Sequence, residues 1–452
     1  MATDRAAGLL GSLRARAAAP VSAASLGALR VIYGATLLAA VVRFAARGWI
    51  DALYVRPAHL FAYWGFGWVP RPGATGLHAL FAVMGAAAVA VALGWRARVA
   101  LGVFALCFTW VELLDRTSYL NHYYFVSVFT ALLALLPVSA RYSLDARRDP
   151  SLARATVPAW TLWIPRAQLA IVYLFAGVAK LKGDWLLRAE PLRTWLLARA
   201  DAPVVGPLLA TPAAAYAMSW AGTIFDLTIP WLLLSRRTRV PAYLAVIGFH
   251  AATGMLFNIG MFPWVMVGAT TVFFDPAWPE RFFPSRGEPT PARASALPSR
   301  ALTAGLALYF AAQLLLPLRM HLYPGDACWT EQGFRFAWHV MVMEKAGDVR
   351  FRVTDPHSGR AWVVEPGEFL SPTQARVMAG TPDMILTAAH FVRDDFARRG
   401  VPGARVYADA WASLHGRPAR RLVDPRVDLA REEDSLRPYR WVYPDPATAP
   451  DH

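Results

Sequence analysis

The residue whose type and setting most suggest chemistry is Lys180, within Leu169–Trp185, LAIVYLFAGVAKLKGDW. Apart from Tyr173, every residue from Leu169 to Ala179 is apolar or glycine, and Lys180 arrives before the apolar pattern has ended. A lysine at the centre of a membrane helix costs about 2.5–3.5 kcal/mol on insertion scales. A chain keeps one there for either of two reasons. Its head snorkels to the interface, or it faces the bundle interior and handles protons or charge. On a helix, Tyr173, Gly177 and Lys180 share one face at spacings of four and three, and Gly177 would admit a close neighbour, helix or ligand. Lys182 falls about 200° round from Lys180 and is the better snorkelling residue. Both readings of Lys180 stay open at this point.

Other polar residues interrupt apolar runs. Asn121 and His122 precede one such run among Tyr119, Tyr123 and Tyr124; His250 lies inside another, and Asn258 follows it. Each has an ordinary reading. Interfacial histidine among tyrosines fits an aromatic belt, a lone intrahelical histidine is commonly a satisfied core residue, and the asparagines fit caps or turns. Their interest is joint, and it depends on the elements that carry them.

The 452 residues are 56% hydrophobic with 18 Trp and a mean hydropathy of +0.33, which fits a polytopic membrane protein. With about 20 residues needed per crossing, about nine spans are expected: Ser25–Ala45, Leu77–Leu93, Val99–Leu114, Tyr123–Val138, Arg166–Leu181, Thr211–Leu234, Val240–Phe257, Met261–Phe274 and Ala301–Leu316. Alternate loops carry the arginines: Arg96 and Arg98; Arg141, Arg147, Arg148 and Arg154; Arg236, Arg237 and Arg239; Arg281, Arg286, Arg293 and Arg300. By the positive-inside rule these loops are cytoplasmic, as is the N-terminus, and an odd number of spans puts the C-terminus outside. Met1–Pro20 has no apolar core before a cleavage site and reads as a cytoplasmic tail rather than a signal peptide. Lys180, Asn121, His122, His250 and Asn258 then share the outer half of the bilayer.

Beyond Leu316 the chain turns polar. Val349–Val353, Ala361–Val364 and Arg405–Tyr407 read as strands and Gly380–Arg399 as a helix. The expected fold is mainly α: a membrane helical bundle, residues 25–318, after a tail at 1–24, with a C-terminal mixed α/β, strand-containing extramembrane domain at 319–452. The formal charge of +15 does not indicate nucleic acid, because the arginines sit in short loops rather than one block. Two cysteines, Cys107 and Cys328, allow no disulfide framework or CxxC site. Phosphate-loop, dinucleotide, GxSxG and HExxH motifs are absent, and the ten histidines show no metal-type spacing, so no metal is expected.

Several segments, in order along nearly the whole chain, resemble the vitamin K-dependent gamma-glutamyl carboxylase family in a bacterial form with an HTTM domain. They are SLGALRVIYG (Ser25–Gly34), DRTSYLNHYYF (Asp115–Phe125), IVYLFAGVAKLKGDW (Ile171–Trp185), FHAATGMLFNIGMFPWVM (Phe249–Met266), HLYPGDACWTEQGFRFAWHVMV (His321–Val342) and RRLVDPRVDL (Arg420–Leu429). The resemblance implies an enzyme that oxidises a reduced vitamin K or menaquinone hydroquinone with O2 to the epoxide and adds CO2 to peptide glutamate. It implies Lys180 as the base and His122 as a second catalytic residue. Asn121, His250, Tyr173, Gly177 and Asn258 would lie at the quinone, and Trp329, Thr330 and Trp338 at the glutamate substrate. A buried lysine suits that role, because burial disfavours the ammonium form. A dry site would protect the strong base and the carbanion from water. The implied partners are the lipid bilayer, the quinone and a glutamate-containing peptide or protein. The chain departs from the animal enzyme at Tyr119–Leu120 and Ala179, and it stops soon after Trp441, where that enzyme continues; these departures bear on the protein substrate more than on the quinone. The rival readings are quinol epoxidation or oxidation without carboxylation, and a non-catalytic membrane transporter or scaffold.

Overall fold

The computed structural model describes residues 2–284 and 297–445; Arg286 and Arg293 of the expected inner loop lie outside them. Helix α1 (Ala2–Ala18) leads to a short strand β1 (Pro20–Ser22) that pairs antiparallel with β2 (Thr156–Pro158). Between them come α2 (Ala24–Ala46), α3 (Ala74–Leu93), α4 (Ala97–Leu114), α5 (Asn121–Ala134) and the short α6 (Leu144–Arg148). There follow α7 (Trp160–Ala179), three short helices α8 (Gly183–Arg188), α9 (Leu192–Leu197) and α10 (Gly206–Leu209), then α11 (Pro212–Leu234), α12 (Arg239–Leu256), α13 (Phe262–Thr270) and α14 (Arg300–Leu318).

Each of the nine expected apolar segments falls on a helix. Six of these helices, α2, α3, α4, α7, α11 and α14, are long and apolar enough to cross a membrane. Helix α5 has only 14 residues and α13 only 9, so nine full crossings do not follow from helix length.

Consecutive helices pack as neighbours, α2 on α3, α3 on α4 and α4 on α5, while α7 packs on α11. Gly34 shows how closely: a Cβ there would stand 2.5 Å from the Ala92 nitrogen. At one end of the bundle the buried Arg30 guanidinium donates to the carbonyls of Val91, Ala92, Val138 and Tyr142. It satisfies the free carbonyls at the end of α3 and holds the arginine-rich loops together.

Two expectations about the lysine segment need correction. Helix α7 starts at Trp160, upstream of Pro165, and ends at Ala179, leaving Lys180 as its C-cap. Lys182 begins α8 as its N-cap and does not snorkel. It pairs with Asp326 at 2.9 Å, so the helical-wheel argument across these two lysines fails where the helix stops.

The C-terminal region adds α15 (Ala327–Thr330), β3 (Lys345–Thr354), β4 (Ala361–Val364), α16 (Pro372–Ala379), α17 (Pro382–Arg398), β5 (Arg405–Leu414) and β6 (Arg420–Arg421). The antiparallel sheet has the order β4-β3-β5-β6. In β3, Val349, Phe351 and Val353 are buried and alternate with exposed residues. In β5, Val406, Ala408, Ala410, Ala412 and Leu414 do the same. That period of two sets one apolar face, and α17 supplies Met384, Ile385, Leu386, Ala389 and Val392 to the same core.

This region is tied to the bundle by ions. Arg116, in the turn before α5, lies 3.2 Å from Asp383 of α17, which also holds Arg335 at 2.6 Å. Burial opposes ionisation of Asp383, but the two arginines outweigh it and hold the carboxyl down at about 2.

Candidate active site

Lys180 lies at the end of α7 because the helix stops there, and two contacts fix where that end lies. A Cβ on Gly177 would come 2.7 Å from the Leu227 side chain and 3.1 Å from its backbone nitrogen, so α7 and α11 touch almost backbone to backbone. Eight residues beyond Gly177, Trp185 of α8 donates through Nε1 to the Ser219 carbonyl of α11 at 2.9 Å. Together they bring Lys180 to Asp226.

The Lys180 amine, buried with the Asp226 carboxylate, donates to Asp226 Oδ2 at 2.8 Å, to the Ala176 carbonyl at 3.2 Å and to the Val340 carbonyl at 3.3 Å. It also stands 5.2 Å from the centre of the Trp185 ring. Three acceptors match the three protons of an ammonium. The sequence signal for Asp226 is an acid in the middle of the apolar run Thr211–Leu234. An acid there needs a partner, and the lysine ending the preceding span is the natural one.

Val340 belongs to an irregular stretch between α15 and β3 that lies across the ends of α5 and α7. Glu331, Phe336, Trp338 and Met341 all have positive φ, between 53° and 62°. Non-glycine residues in this region cost roughly 1–3 kcal/mol each and persist only when their surroundings hold them. The holding contacts are visible. Asn121 Nδ2 donates to the His339 carbonyl at 2.9 Å. Tyr119 donates to Asn121 Oδ1 and accepts from the Phe336 amide. Asn121 is therefore not a helix cap; its amide joins the start of α5 to this stretch. His339 is buried, and burial, with Lys182 and Lys180 nearby, pushes its imidazole down to about 4.

These elements enclose a cavity of about 560 Å³. Lys180, Asp226, Asn121, His122, Tyr173, His250 and Asn258 all line it. Tyr173 and His250 share a hydrogen bond of 3.0 Å between the hydroxyl and Nε2. The His122 ring packs 5.1 Å from Phe262, and on its other side it borders a smaller cavity of about 80 Å³ that also meets Arg43 and Glu112.

The remaining expected residues stand outside the large cavity. Gly177 is covered by Leu227. Trp329 is buried in the C-terminal core and donates to the Tyr443 carbonyl. Thr330, at the end of α15, donates to the carbonyl of Asp326, the N-cap of that helix. Trp338 packs 4.7 Å from Tyr124 and braces the strained stretch from behind.

The chemistry the site offers is proton handling next to an apolar chamber. Its size suits a small organic molecule, and apolar walls with a few convergent polar groups are the usual form of such a site. Phe249, Phe262, Met266 and Val172 supply flat and aliphatic wall against the Lys180–Asp226 pair. Among the described residues, no group of three or more His, Cys, Asp or Glu is arranged to hold a metal ion.

Comparison with known families gives two matches. The model of the HTTM domain matches residues 18–278. The model of the vitamin K-dependent gamma-carboxylase lumenal domain matches residues 298–448. No solved structure matches the chain.

Proposed function

The chain belongs to the vitamin K-dependent gamma-carboxylase family, and on that premise we propose that it couples oxidation of a reduced naphthoquinone by O2, to the epoxide, with CO2 addition at the γ-carbon of peptide glutamate. The hydroquinone, vitamin K or menaquinol, would supply the oxidisable ring whose reaction with O2 generates the strong base.

The observation that carries the reading is the buried Lys180–Asp226 pair in the cavity wall. At 2.8 Å the shared proton has two resting places, and both use every hydrogen-bonding position of Nζ. As an ammonium, Nζ spends three protons on three acceptors. As an amine beside a carboxylic acid, it receives one proton from Asp226 and keeps two for Ala176 and Val340. Asp226 thus gives the lysine proton a place to go, and once the Nζ lone pair turns from Asp226 to a bound hydroquinone it can take a hydroxyl proton, leaving an ammonium beside the protonated carboxyl. His122 faces the same chamber and is assigned to guiding the carbanion to CO2. Asn121, Tyr173, His250 and Asn258 are assigned to the quinone side. Gly177 would act indirectly, by setting how α7 meets α11, and Trp329, Thr330 and Trp338 by shaping the stretch that would meet the glutamate.

Several long apolar helices and the HTTM match indicate a multi-pass membrane protein. The division near residue 318, a cytoplasmic N-terminus and an extracytoplasmic C-terminal domain belong to the same proposal, as does a glutamate-containing peptide or protein as substrate.

The test uses purified full-length protein with reduced vitamin K, labelled bicarbonate and a glutamate-containing peptide. Epoxide and fixed label in equal amounts, both lost in Lys180→Ala, are the expected result. Epoxide without label would favour the epoxidase reading. No epoxide at all, with no change on Lys180→Ala, would refute both enzymatic readings and favour a transporter or scaffold.

A further inference from the structure

The charge of the cavity wall is unevenly spent. Three of its residues carry a full formal charge: Lys180, Asp226 and Arg199. Lys180 and Asp226 neutralise each other. Arg199 has no acidic partner within 4 Å among the described residues, so the wall keeps one net positive charge.

The way Arg199 is held matters as much as its charge. It follows α9, in a turn fixed by bonds from the Arg199 amide to the Leu196 carbonyl and from the Ala202 amide to the Arg199 carbonyl. Its Nε donates to the Leu256 carbonyl, at the end of α12, at 3.1 Å. That one bond orients the planar guanidinium, and among the described residues neither terminal nitrogen has a hydrogen-bond partner. Trp195 beside it packs 5.5 Å from Phe257, so the α9–α12 contact is rigid on both sides. A half-buried guanidinium, anchored through Nε with its two terminal nitrogens open, is built for two parallel hydrogen bonds to a carboxylate. Asn258, exposed and just beyond Leu256, places this part of the wall at the mouth.

We infer that Arg199 is the carboxylate-binding residue at the mouth of the cavity, and that it takes the side-chain carboxylate of the glutamate residue in the peptide substrate. This rests on the proposed carboxylase reading for the identity of the peptide. The chemistry adds a reason for a cation there. Removing a γ-proton from a glutamate puts a second negative charge next to its carboxylate, and the dicarboxylate product keeps both. A fixed guanidinium opposes that accumulation of charge.

Binding is measured first, without turnover, on full-length protein in phosphatidylcholine nanodiscs, with a fluorescent glutamate-containing peptide and the same peptide carrying glutamine. Wild type should prefer the glutamate peptide by roughly 10- to 100-fold, the effect of one or two charge-assisted hydrogen bonds. Arg199→Gln should bind both peptides alike, and Arg199→Lys should recover part of the preference, having the charge without the planar fork. Under turnover, Arg199→Gln should raise the KM for the peptide by a similar factor and leave the KM for the hydroquinone unchanged. Equal peptide discrimination in wild type and Arg199→Gln would overturn the assignment. So would an effect of the substitution that appears only when anionic lipid is added, because Arg199 would then be a site for lipid phosphate. Because binding is read separately, a wild type that discriminates the peptides but forms no epoxide refutes the proposed reaction and leaves the Arg199 assignment standing.

Discussion

Removing one member of the Lys180–Asp226 pair should be far more damaging than removing both, as judged by stability, and equally damaging as judged by turnover. The two charges are 2.8 Å apart, which at an effective dielectric of 20 corresponds to about 6 kcal/mol of attraction before desolvation is subtracted. Asp226→Asn keeps the shape and a hydrogen-bonding group but leaves the ammonium without its counter-charge. Lys180→Met strands the carboxylate. Each should cost about 3–5 kcal/mol. Lys180→Met with Asp226→Leu removes both buried charges and should come within about 1–2 kcal/mol of wild type. The coupling between the sites would therefore be several kcal/mol. Unfolding of the full-length protein in mixed micelles supplies the stabilities, and epoxide formation with label fixation supplies the turnover. The double variant should be folded, stable and inactive. Additive losses in the cycle would refute the ion pair, and turnover in the stable double variant would refute any catalytic part for Lys180.

Three further outcomes follow from other contacts. Gly177→Ala should cost about 1–3 kcal/mol and reduce turnover, because its Cβ has to displace Leu227 at 2.7 Å and so moves Lys180 off Asp226; wild-type turnover would show that the helix spacing does not set the pair. Asp383→Asn removes the carboxylate that Arg116 and Arg335 share, leaves Arg116 only Asp434 at 3.5 Å, and should lower stability by about 3–5 kcal/mol, seen as an earlier melting transition. His339 is pushed down to about 4 from 6.5, so below the ordinary value the unfolded chain binds a proton that the folded chain refuses. Its contribution is complete above about pH 6.5, falls as pH drops toward 4 and levels off below that, by roughly 3 kcal/mol in all; the melting curves of wild type and His339→Asn should converge over this window, and parallel curves would rule the residue out.

Much of the fold was legible because its signals are local. Runs of apolar residues mark each bundle helix, and alternation in Val349–Val353 marks β3, whose burial repeats every second residue. The depth argument from loop arginines grouped Lys180, Asn121, His122, His250 and Asn258, and all five line one cavity. What was not legible depends on where helices stop and what lies across them. The wheel placing Lys182 opposite Lys180 assumed a helix that ends at Ala179. Asp226 was readable as a buried acid, but its pairing required knowing that α7 and α11 touch at Gly177. Arg199 was invisible, because an arginine after a short helix carries no signal until Leu256 is seen to anchor its Nε.

The third acceptor of Lys180 shows why both matched regions are needed for one site. Asp226 and Ala176 come from the bundle, within residues 18–278, while Val340 comes from the C-terminal region, within 298–448. The Val340 carbonyl reaches Nζ only because the stretch around it holds four strained residues, and that strain is held by bonds from Asn121 and Tyr119 of the bundle. The two regions therefore constrain each other at the amine: the bundle pins the strained stretch, and the stretch completes the hydrogen bonds of the bundle's lysine. Asn121→Ala tests this directly. It removes the bond to His339 without touching Lys180, so a purely local role predicts only a small stability loss of about 1 kcal/mol. A role in holding Val340 predicts that turnover falls as well, and that Tyr119→Phe, which removes the hydroxyl contacts to Asn121 and Phe336, produces the same fall without adding to it when the two are combined.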